Sequence, residues 1–227
     1  MNQPMGSLLT HVLPLAAGAA ISPTIMTLSV LILGGPHGKA RQTVFTVVNV
    51  SLMCLLGVFG TAYMAHAADR HKTGKVNSAS VVVDVTLGIV LLLLAIREHY
   101  SPAKDTEQDS ADEAGKSTGI AVPKYAALGV VMTLTNFTTL ALFAPALKEI
   151  AISKQPQSTE LVVGLILVVI ATVTAWLPLL LTVLVPGPAE RILGSINHFT
   201  TTYKHQIVQV VMLVFGAYLL TKGLTRG

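Results

Sequence analysis

The sequence predicts an all-α integral membrane protein with six transmembrane helices, arranged as a 3+3 inverted repeat in which helices 1 and 4 are interrupted. Of its 227 residues, 52% are hydrophobic and 11% are charged, whereas charged residues make up about a quarter of a soluble domain. Six apolar windows approach the ~20 residues that a helix needs to cross a bilayer. Two of them are broken by polar residues at matching places. The windows are 8–33, 44–64, 79–96, 125–147, 161–185 and 207–220.

The first window has a proline, Pro23, in its middle. Proline lacks an N–H, and its ring presses against the carbonyl four residues earlier, here that of Ala19, so a helix must kink or open there. In lipid, the freed backbone groups need new partners. The hydroxyls of Ser22, Thr24 and Thr27 are within local reach, and a neighbouring helix or water can supply the rest. The first window is therefore predicted to be a broken helix with a hinge at Pro23.

The fourth window carries a second polar interruption, within an apolar run that is predicted to end at Pro145. Its hydroxyl and amide residues are Thr133, Thr135, Asn136, Thr138 and Thr139. The helical spacing of Thr135, Asn136 and Thr139 predicts that they share one face. Interrupted segments at corresponding places in two halves of a chain are the best sequence indication of a transporter's binding site. The predicted substrate pathway is therefore Ser22, Pro23, Thr24, Thr27, Thr135, Asn136, Thr138 and Thr139.

Two other windows carry residues of interest. The second contains Gly57 and Gly60, a small-residue stripe that favours close helix packing, and Asn49, for which we expect a hydrogen bond to another helix. The third contains Asp84. A carboxylate at membrane depth costs about 3 kcal/mol on insertion scales and marks a functional site, so Asp84 is a candidate for proton or ion coupling. The alternative is an interfacial carboxylate stabilised by the positive end of its helix.

The remaining segments complete the predicted domain organisation. Residues 1–97 form the first three-helix repeat, residues 98–122 a flexible acidic linker too polar to order itself, and residues 123–227 the second repeat. Within the second repeat, Lys148 and Glu149 are placed in a loop after the fourth window, and Pro178 is a second predicted hinge. After the fifth window, residues 189–204 have the periodicity of an amphipathic helix lying on the membrane surface.

Composition and motifs exclude several functions. The single cysteine, Cys54, rules out an intramolecular disulfide and a thiolate metal cage. No histidine has the spacing of a metal-ligand motif, and no phosphate-binding glycine loop of the GxxxxGK[ST] form is present. The net charge of +4 comes from basic residues scattered over all the loops, which favours lipid headgroups over nucleic acid. With one acidic residue inside a window and no partner for it, we expect no enzyme activity and no cofactor.

The two halves also share a short apolar sequence. The segment 87–92 (LGIVLL), near the end of the first half, resembles 215–220 (FGAYLL), near the end of the second. An odd number of spans in each repeat makes the two copies face opposite ways across the membrane, with a pseudo-two-fold axis in the membrane plane. This pattern and the two interruptions predict the inverted repeat.

The chain also resembles a known family. The segments that carry the resemblance are 20–24 (AISPT), 35–41 (GPHGKAR), Thr135-Asn136, 193–195 (LGS) and 219–224 (LLTKGL). They look like the GAP family of peptidolipid-addressing and sulfolipid-addressing membrane proteins, within the lysine exporter superfamily. The resemblance implies a role in moving cell-envelope glycolipids or lipid precursors across the plasma membrane. The chain departs from the superfamily's Asn-Pro pair, because Phe137 follows Asn136.

The leading hypothesis is a multi-pass plasma-membrane transporter for a lipid or glycolipid substrate, working by alternating access. Hydroxyls and one amide suit sugars and phosphates, which need many neutral hydrogen bonds, and the lack of predicted buried Lys or Arg argues against tight anion capture. Two alternatives stay open: an exporter of amino acids or other small polar solutes, and a non-transporting scaffold of an envelope-lipid export machine. The expected partners are the substrate, the membrane and that machinery; a homodimer is also left open.

Overall fold

The computed structural model describes residues 5–70, 85–86, 88–97, 122–153 and 155–226, and its regular secondary structure over these residues is helical, with no strand. The helices are α1 (Met5–Ala20), α2 (Pro23–Gly34), α3 (Gly38–Arg70), α4 (Gly88–Arg97), α5 (Val122–Thr135), α6 (Phe137–Ile152), α7 (Gln157–Ala171), α8 (Val173–Leu184), α9 (Pro186–Thr202) and α10 (Lys204–Arg226).

The helices are long and apolar enough for a membrane protein. Within the described residues, α3 and α10 each contain a stretch that can cross a bilayer alone. Three bent pairs reach that length and apolar character together: α1 with α2 at 52°, α5 with α6 at 66°, and α7 with α8 at 70°. Helix α4 is apolar but shorter. The interruptions predicted for the first and fourth windows are thus present, and the fifth window is broken as well.

The fifth window does not bend at Pro178, as the sequence predicted. Pro178 lies inside α8, and the chain breaks earlier, at Thr172. There, the backbone N–H and the side-chain hydroxyl of Thr172 both donate to the carbonyl of Val168, at 3.0 and 2.8 Å, and close the last turn of α7. The carbonyl of Thr174, which Pro178 deprives of a backbone donor, accepts a hydrogen bond from the hydroxyl of Ser29 at 3.4 Å. A side chain from another helix thus replaces the missing donor, and α8 continues through its proline.

The helix of the fourth window continues past Pro145, where the sequence predicted its apolar run to end. Helix α6 runs on to Ile152 with Pro145 inside it, because Leu147 and Ile150 are buried in the core and hold the last turns in place. Lys148 and Glu149, which the sequence placed in a loop, are therefore helical, and both are buried.

The breaks divide the protein into two apolar cores. One core is built from α1, the later part of α3, α4, α6, α7 and α10. The other is built from α2, the early part of α3, α5 and α8. Gly60 has the predicted close-packing role in the first core, since a Cβ atom there would lie 2.6 Å from Leu147, whereas one at Gly57 would make only an ordinary contact, at 3.9 Å from Phe143. The breaks between the half-helices lie between these two cores.

The segment predicted as an amphipathic surface helix, 189–204, corresponds to α9. This helix packs against α2 and α8, burying Ala189, Leu193 and Thr200. The helical spacing of the sequence predicts that Thr200 lies on the polar outer face, but the structure buries it. Ile192 and Phe199 are instead exposed, so apolar side chains remain on the face of α9 turned away from the protein.

Two sequence predictions lie outside the described residues. They are the coupling role of Asp84 and the flexible linker, of which residues 98–121 are not described. The last residue assigned to that linker, Val122, is the first residue of α5.

Candidate substrate-binding site at the helix breaks

Ser22 forms the start of the second half of the first broken helix. Its side-chain oxygen caps α2 by accepting a hydrogen bond from the backbone N–H of Ile25 at 3.4 Å. Pro23 is the first residue of α2, a position where its missing N–H leaves no helical bond unmade and its fixed φ suits the helix. The serine cap and the proline after it therefore end α1 and begin a new helix in a new direction.

Asn136 has the same role in the second broken helix. Its side-chain oxygen caps α6 by accepting a hydrogen bond from the backbone N–H of Thr139 at 3.3 Å. Asparagine and serine are among the strongest N-cap residues, because their short side chains reach the otherwise unpaired N–H groups of the first turn. Asn136 is half-buried and is the one residue between α5 and α6.

The two breaks contact each other. The amide nitrogen Nδ2 of Asn136 donates a hydrogen bond to Oγ of Ser22 at 2.8 Å, so each cap residue binds the other. The hydroxyl of Thr139 donates to the carbonyl of Ala19 at 2.9 Å, one of the last carbonyls of α1, which the break leaves without a helical donor. We call Ser22, Asn136, Thr139 and the carbonyl of Ala19 the central junction. The positive N-terminal ends of α2 and α6 both point to it.

The structure brings only some of the predicted pathway residues to this junction. Ser22, Pro23, Asn136 and Thr139 lie there. Thr135 does not: it is exposed, and its hydroxyl donates back to the carbonyl of Val131 at 2.8 Å. The prediction that Thr135 shares a face with Asn136 and Thr139 is wrong, because the helix ends at Thr135 and turns by 66°.

The other three predicted residues have intermediate exposure. Thr24 and Thr138 are partly buried. The hydroxyl oxygen of Thr27 is fully buried and has no hydrogen-bond partner within the described part of the chain. A buried hydroxyl without a partner costs roughly 1–3 kcal/mol, so Thr27 has unused hydrogen-bonding capacity on α2.

A second polar cluster, which the sequence reasoning missed, lies at the break of the fifth window. We call it the Gln42 cluster: Ser29, Gln42, Thr46 and the carbonyls of Thr174 and Ala175. Nε2 of Gln42 lies 3.0 Å from Oγ of Ser29 and 2.9 Å from the carbonyl of Ala175, and the hydroxyl of Thr46 donates to the same carbonyl at 3.0 Å. All three side chains are buried, and Oε1 of Gln42 has no partner among the described residues.

A third contact extends this polar surface along α3. Nδ2 of Asn49 donates to the hydroxyl of Thr133 at 2.6 Å, and that hydroxyl donates to the carbonyl of Gly129 at 2.7 Å. The interhelical role predicted for Asn49 is therefore confirmed. Gln42, Thr46 and Asn49 follow one another at steps of one helical turn, which puts them on one face of α3. This stripe of polar residues is visible in the sequence, and it could have predicted the Gln42 cluster.

Buried basic residues are the second feature that the sequence reasoning missed. Arg41 is 1% exposed and its guanidinium lies 5.2 Å from the ring centroid of Tyr125, a cation–π arrangement worth about 0.5–2 kcal/mol. Lys148 and Lys222 are 4% and 8% exposed. The expectation that no Lys or Arg is buried is wrong, because Arg41 packs between α3 and α5 and the other two lie on helices that continue beyond the predicted windows.

The chemistry of these clusters is hydrogen bonding and charge. Within the described ranges, no group of three or more His, Cys, Asp or Glu residues is placed to hold a metal ion. Hydroxyls, amides and backbone carbonyls at helix breaks bind polar groups of a ligand or an ion. The structure thus places hydrogen-bonding groups inside the helical bundle, at the breaks of three helices.

Comparison with known proteins identifies the family. A family model described as Sap, sulfolipid-1-addressing protein, matches residues 12–225 of the chain. No curated protein and no solved structure matches it. The match extends over nearly the whole chain and includes all three broken helices. The resemblance to the sulfolipid-addressing membrane proteins is thereby confirmed, and the chain belongs to the family of the sulfolipid-1-addressing protein Sap.

Proposed function

We propose that this protein is a plasma-membrane carrier that moves a sulfated or otherwise anionic envelope glycolipid, or a precursor of one, across the bilayer by alternating access. The observation that carries the proposal is the central junction. Two broken helices from different halves of the chain meet there through Ser22 and Asn136. A polar site inside an otherwise apolar bundle lets a headgroup cross the bilayer in contact with hydrogen-bonding groups instead of hydrocarbon.

The packing of the helices supports an inverted repeat of three spans in each half. Helix α3, from the first half, packs against α5 and α6 of the second half. Conversely, α7 of the second half packs against α1 of the first, and α8 packs against α2. These contacts correspond to one another when the two halves are exchanged, as a pseudo-two-fold axis requires; the contact of α1 with α6 has no counterpart of similar extent between α2 and α5.

Pairs of corresponding residues support the same axis. Gly88 and Gly216 occupy matching places in the two similar segments. A Cβ atom at Gly88 would lie 3.0 Å from the carbonyl oxygen of Gly216, and one at Gly216 would lie 3.2 Å from that of Gly88. Ser22 and Asn136 are also counterparts, since each caps the second half of a broken helix, and they bind each other. Residues close to a two-fold axis meet their own counterparts.

The proposal includes six spans. They are the three bent pairs, α3, α10 and the span to which the short apolar helix α4 belongs. In inverted-repeat transporters, the two repeats move against each other around a fixed midplane site. The two apolar cores on either side of the junction are suited to this motion, because each can open while the other stays packed.

The substrate class follows from the residues near the polar clusters. Hydroxyls and amides at the junction suit the many hydroxyl groups of a sugar. Arg41, buried near the N-terminal end of α3, and the N-terminal ends of α2 and α6 favour negative charge. The family description names a sulfolipid, whose headgroup combines these two features. We propose no enzyme activity, since Glu149 is buried beside a lysine and not beside a second acid.

The proposal is tested by lipid translocation in vesicles. The purified full-length chain is reconstituted into liposomes that contain a fluorescent NBD-labelled sulfated galactolipid, and dithionite is added outside to quench the exposed label. A carrier makes the label in the inner leaflet accessible, so quenching becomes nearly complete. Vesicles without protein keep about half of their fluorescence. Equal quenching with and without protein would contradict the proposal.

The same vesicles separate the two alternatives. Radiolabelled lysine is the probe for a small-solute exporter, which would move lysine and leave the lipid label in place. A scaffold would move neither probe. As a matched pair of variants, Asn136→Ala removes an amide of the junction and should slow lipid translocation at least tenfold, whereas Thr135→Ala changes an exposed neighbour and should leave the rate unchanged.

A further inference from the structure

A buried ion pair joins the far ends of α6 and α10. Nζ of Lys222 lies 3.2 Å from Oε1 of Glu149, and the two side chains are only 7% and 5% exposed. Lys222 also lies 5.5 Å from the ring centroid of Tyr218. Leu8, near the start of α1, and Ile150, near the end of α6, belong to the same apolar core, so the pair lies towards the face of the protein where α1 begins.

An ion pair in this place is a costly way to join two helices. Removing a carboxylate and an ammonium from water costs several kcal/mol for each ion, about as much as the pair regains, and apolar residues of similar size are often as stabilising or more so. Ionisable groups inside membrane bundles therefore mark ion or proton pathways by default. The cost of this pair is explained if one of its members changes its charge during transport.

Both helices that carry the pair also contact the broken first helix beside the central junction. Gly18 lies one residue before Ala19, and a Cβ atom there would be 2.9 Å from Leu142 of α6 and 2.5 Å from the ring of Phe215 of α10. Helix α6 begins at the junction and reaches Glu149 about 20 Å further on, at 1.5 Å of rise per residue. A movement at the junction is thus passed along two helices that meet again at Glu149 and Lys222.

We propose that Glu149 is the proton-binding group of this carrier, with Lys222 as its exchangeable counter-ion; the inference rests on the proposed function. When α6 and α10 separate, Glu149 loses the ammonium of Lys222, and a buried carboxylate with less compensating positive charge takes up a proton more readily. The step is the addition of one proton from the adjacent water to the carboxylate, giving a neutral carboxylic acid. Lys222 keeps its charge and is hydrated. When the helices close again, the proton returns to water and the ion pair re-forms.

Other titratable groups surround this pair. Lys148 precedes Glu149 on α6 and is buried as well. The helices packed against α6 carry further titratable groups: His11 on α1, Cys54 and Tyr63 on α3, Glu160 on α7, and Tyr218 with Lys222 on α10. Of these, only a histidine ordinarily titrates between pH 5 and 8, so His11 is the group that a control must exclude.

The test compares translocation of the NBD-labelled sulfated galactolipid under pH gradients of opposite direction. In wild-type vesicles, the ratio of the two rates should be about two- to tenfold for a gradient of about one pH unit, which corresponds to roughly 1.4 kcal/mol per proton. The double variant Glu149→Gln/Lys222→Met replaces the pair with neutral side chains of similar size. Its ratio should fall to one. The variant His11→Gln should keep the wild-type ratio.

A wild-type ratio of one, or a double variant that keeps the wild-type ratio, would overturn the inference. A second measurement does not depend on translocation: infrared difference spectra of the purified full chain between acidic and neutral pH. The C=O band of a protonated carboxylic acid should be weaker in Glu149→Gln than in wild type, and an unchanged band would overturn the inference. Failure of wild-type translocation itself would overturn the proposed function, while the infrared result still decides whether Glu149 binds a proton.

Discussion

Thr139 donates its hydroxyl hydrogen to a backbone carbonyl that a helix break leaves without a helical donor. A related arrangement occurs near another break. The end of α1 leaves the carbonyl of Ala19 without a donor and Thr139 replaces it, while Pro178 deprives Thr174 of its donor and Ser29 replaces it. In each case the hydroxyl comes from the other half of the chain. Hydrogen bonds to freed backbone carbonyls are therefore a means by which the two halves recognise each other.

A pair of isosteric substitutions tests this at the level of single residues. Thr139→Val leaves the carbonyl of Ala19 buried without a donor, so we expect a loss of about 1–3 kcal/mol in the free energy of unfolding. Thr135→Val removes a hydroxyl that bonds only its own helix at an exposed position, and should stay within about 0.5 kcal/mol of wild type. Thermal melting of the purified proteins in detergent measures both. Equal Tm values for the two variants would contradict the role of Thr139.

The Gln42 cluster gives a second prediction at this scale. Gln42→Met keeps the length of the side chain but removes the amide that binds Ser29 and the carbonyl of Ala175, leaving those buried groups with one donor fewer. We expect a loss of roughly 1–3 kcal/mol. The control is Thr43→Ala, next in sequence and exposed, whose hydroxyl bonds only the carbonyl of Lys39. If Gln42→Met melts at the same temperature as Thr43→Ala, the cluster does not stabilise the fold.

At the scale of elements, the sequence predicted the helices better than it predicted their breaks. Pro23 and Asn136 mark two real breaks, since one is a proline after a capping serine and the other is a strong cap residue. The break at Thr172 was missed, because the nearby Pro178 looks like the stronger signal and its freed carbonyl is bonded by Ser29, a residue far away in sequence. The continuation of α6 past Pro145 was missed for a similar reason: the packing of Leu147 and Ile150 against other helices decides it.

The crossing of α4 and α10 is also set by contacts between elements. Gly88 lies against the backbone of α10. A Cβ atom added at Gly88 would be 3.0 Å from the carbonyl oxygen of Gly216 and 3.0 Å from the backbone nitrogen of Leu220. Because backbone cannot move aside as a side chain can, Gly88→Ala should push the helices apart and cost about 1–3 kcal/mol. At Gly164, a Cβ has nothing within 4 Å, so Gly164→Ala should be neutral or stabilise α7 by up to about 1 kcal/mol. If Gly88→Ala matches Gly164→Ala in melting temperature, the close crossing is wrong.

At the scale of the whole molecule, the polar contacts lie either at the helix breaks or in one of the two apolar cores. The central junction and the contact of Asn49 with Thr133 join the two halves of the chain. The Gln42 cluster lies with the core of α2, α5 and α8, and the Glu149–Lys222 pair lies with the opposite core. The protein thus has a polar centre and a polar or charged contact in the core on each side of it.

The candidate site could be read from the sequence only in part. Ser22, Pro23 and Asn136 have local signatures, because a cap and a helix breaker act on neighbouring residues. The burial of Arg41, Lys148 and Lys222 has none, since it depends on which helices pack around them. The stripe of Gln42, Thr46 and Asn49 is an intermediate case: its periodicity is local, but its partners on α5 and α8 are not.

The central claim is that the two halves of the chain meet at Ser22 and Asn136 and must move there for transport. The most direct measurement joins these positions in a Cys54→Ser background. Ser22→Cys and Asn136→Cys are linked with a short bismethanethiosulfonate in the full-length chain, and a protease site inserted within residues 98–121 shows on a gel whether the halves stay together. Ser22→Cys with Thr135→Cys is the control, because Thr135 faces outward.

We expect the 22/136 pair to cross-link efficiently and the 22/135 pair poorly. The 22/136 cross-link should stop the residual translocation of the NBD-labelled lipid, and reduction of the link with dithiothreitol should restore the rate that the same double-cysteine variant has before cross-linking. No cross-link between positions 22 and 136, or translocation at an unchanged rate while the link is intact, would contradict the account.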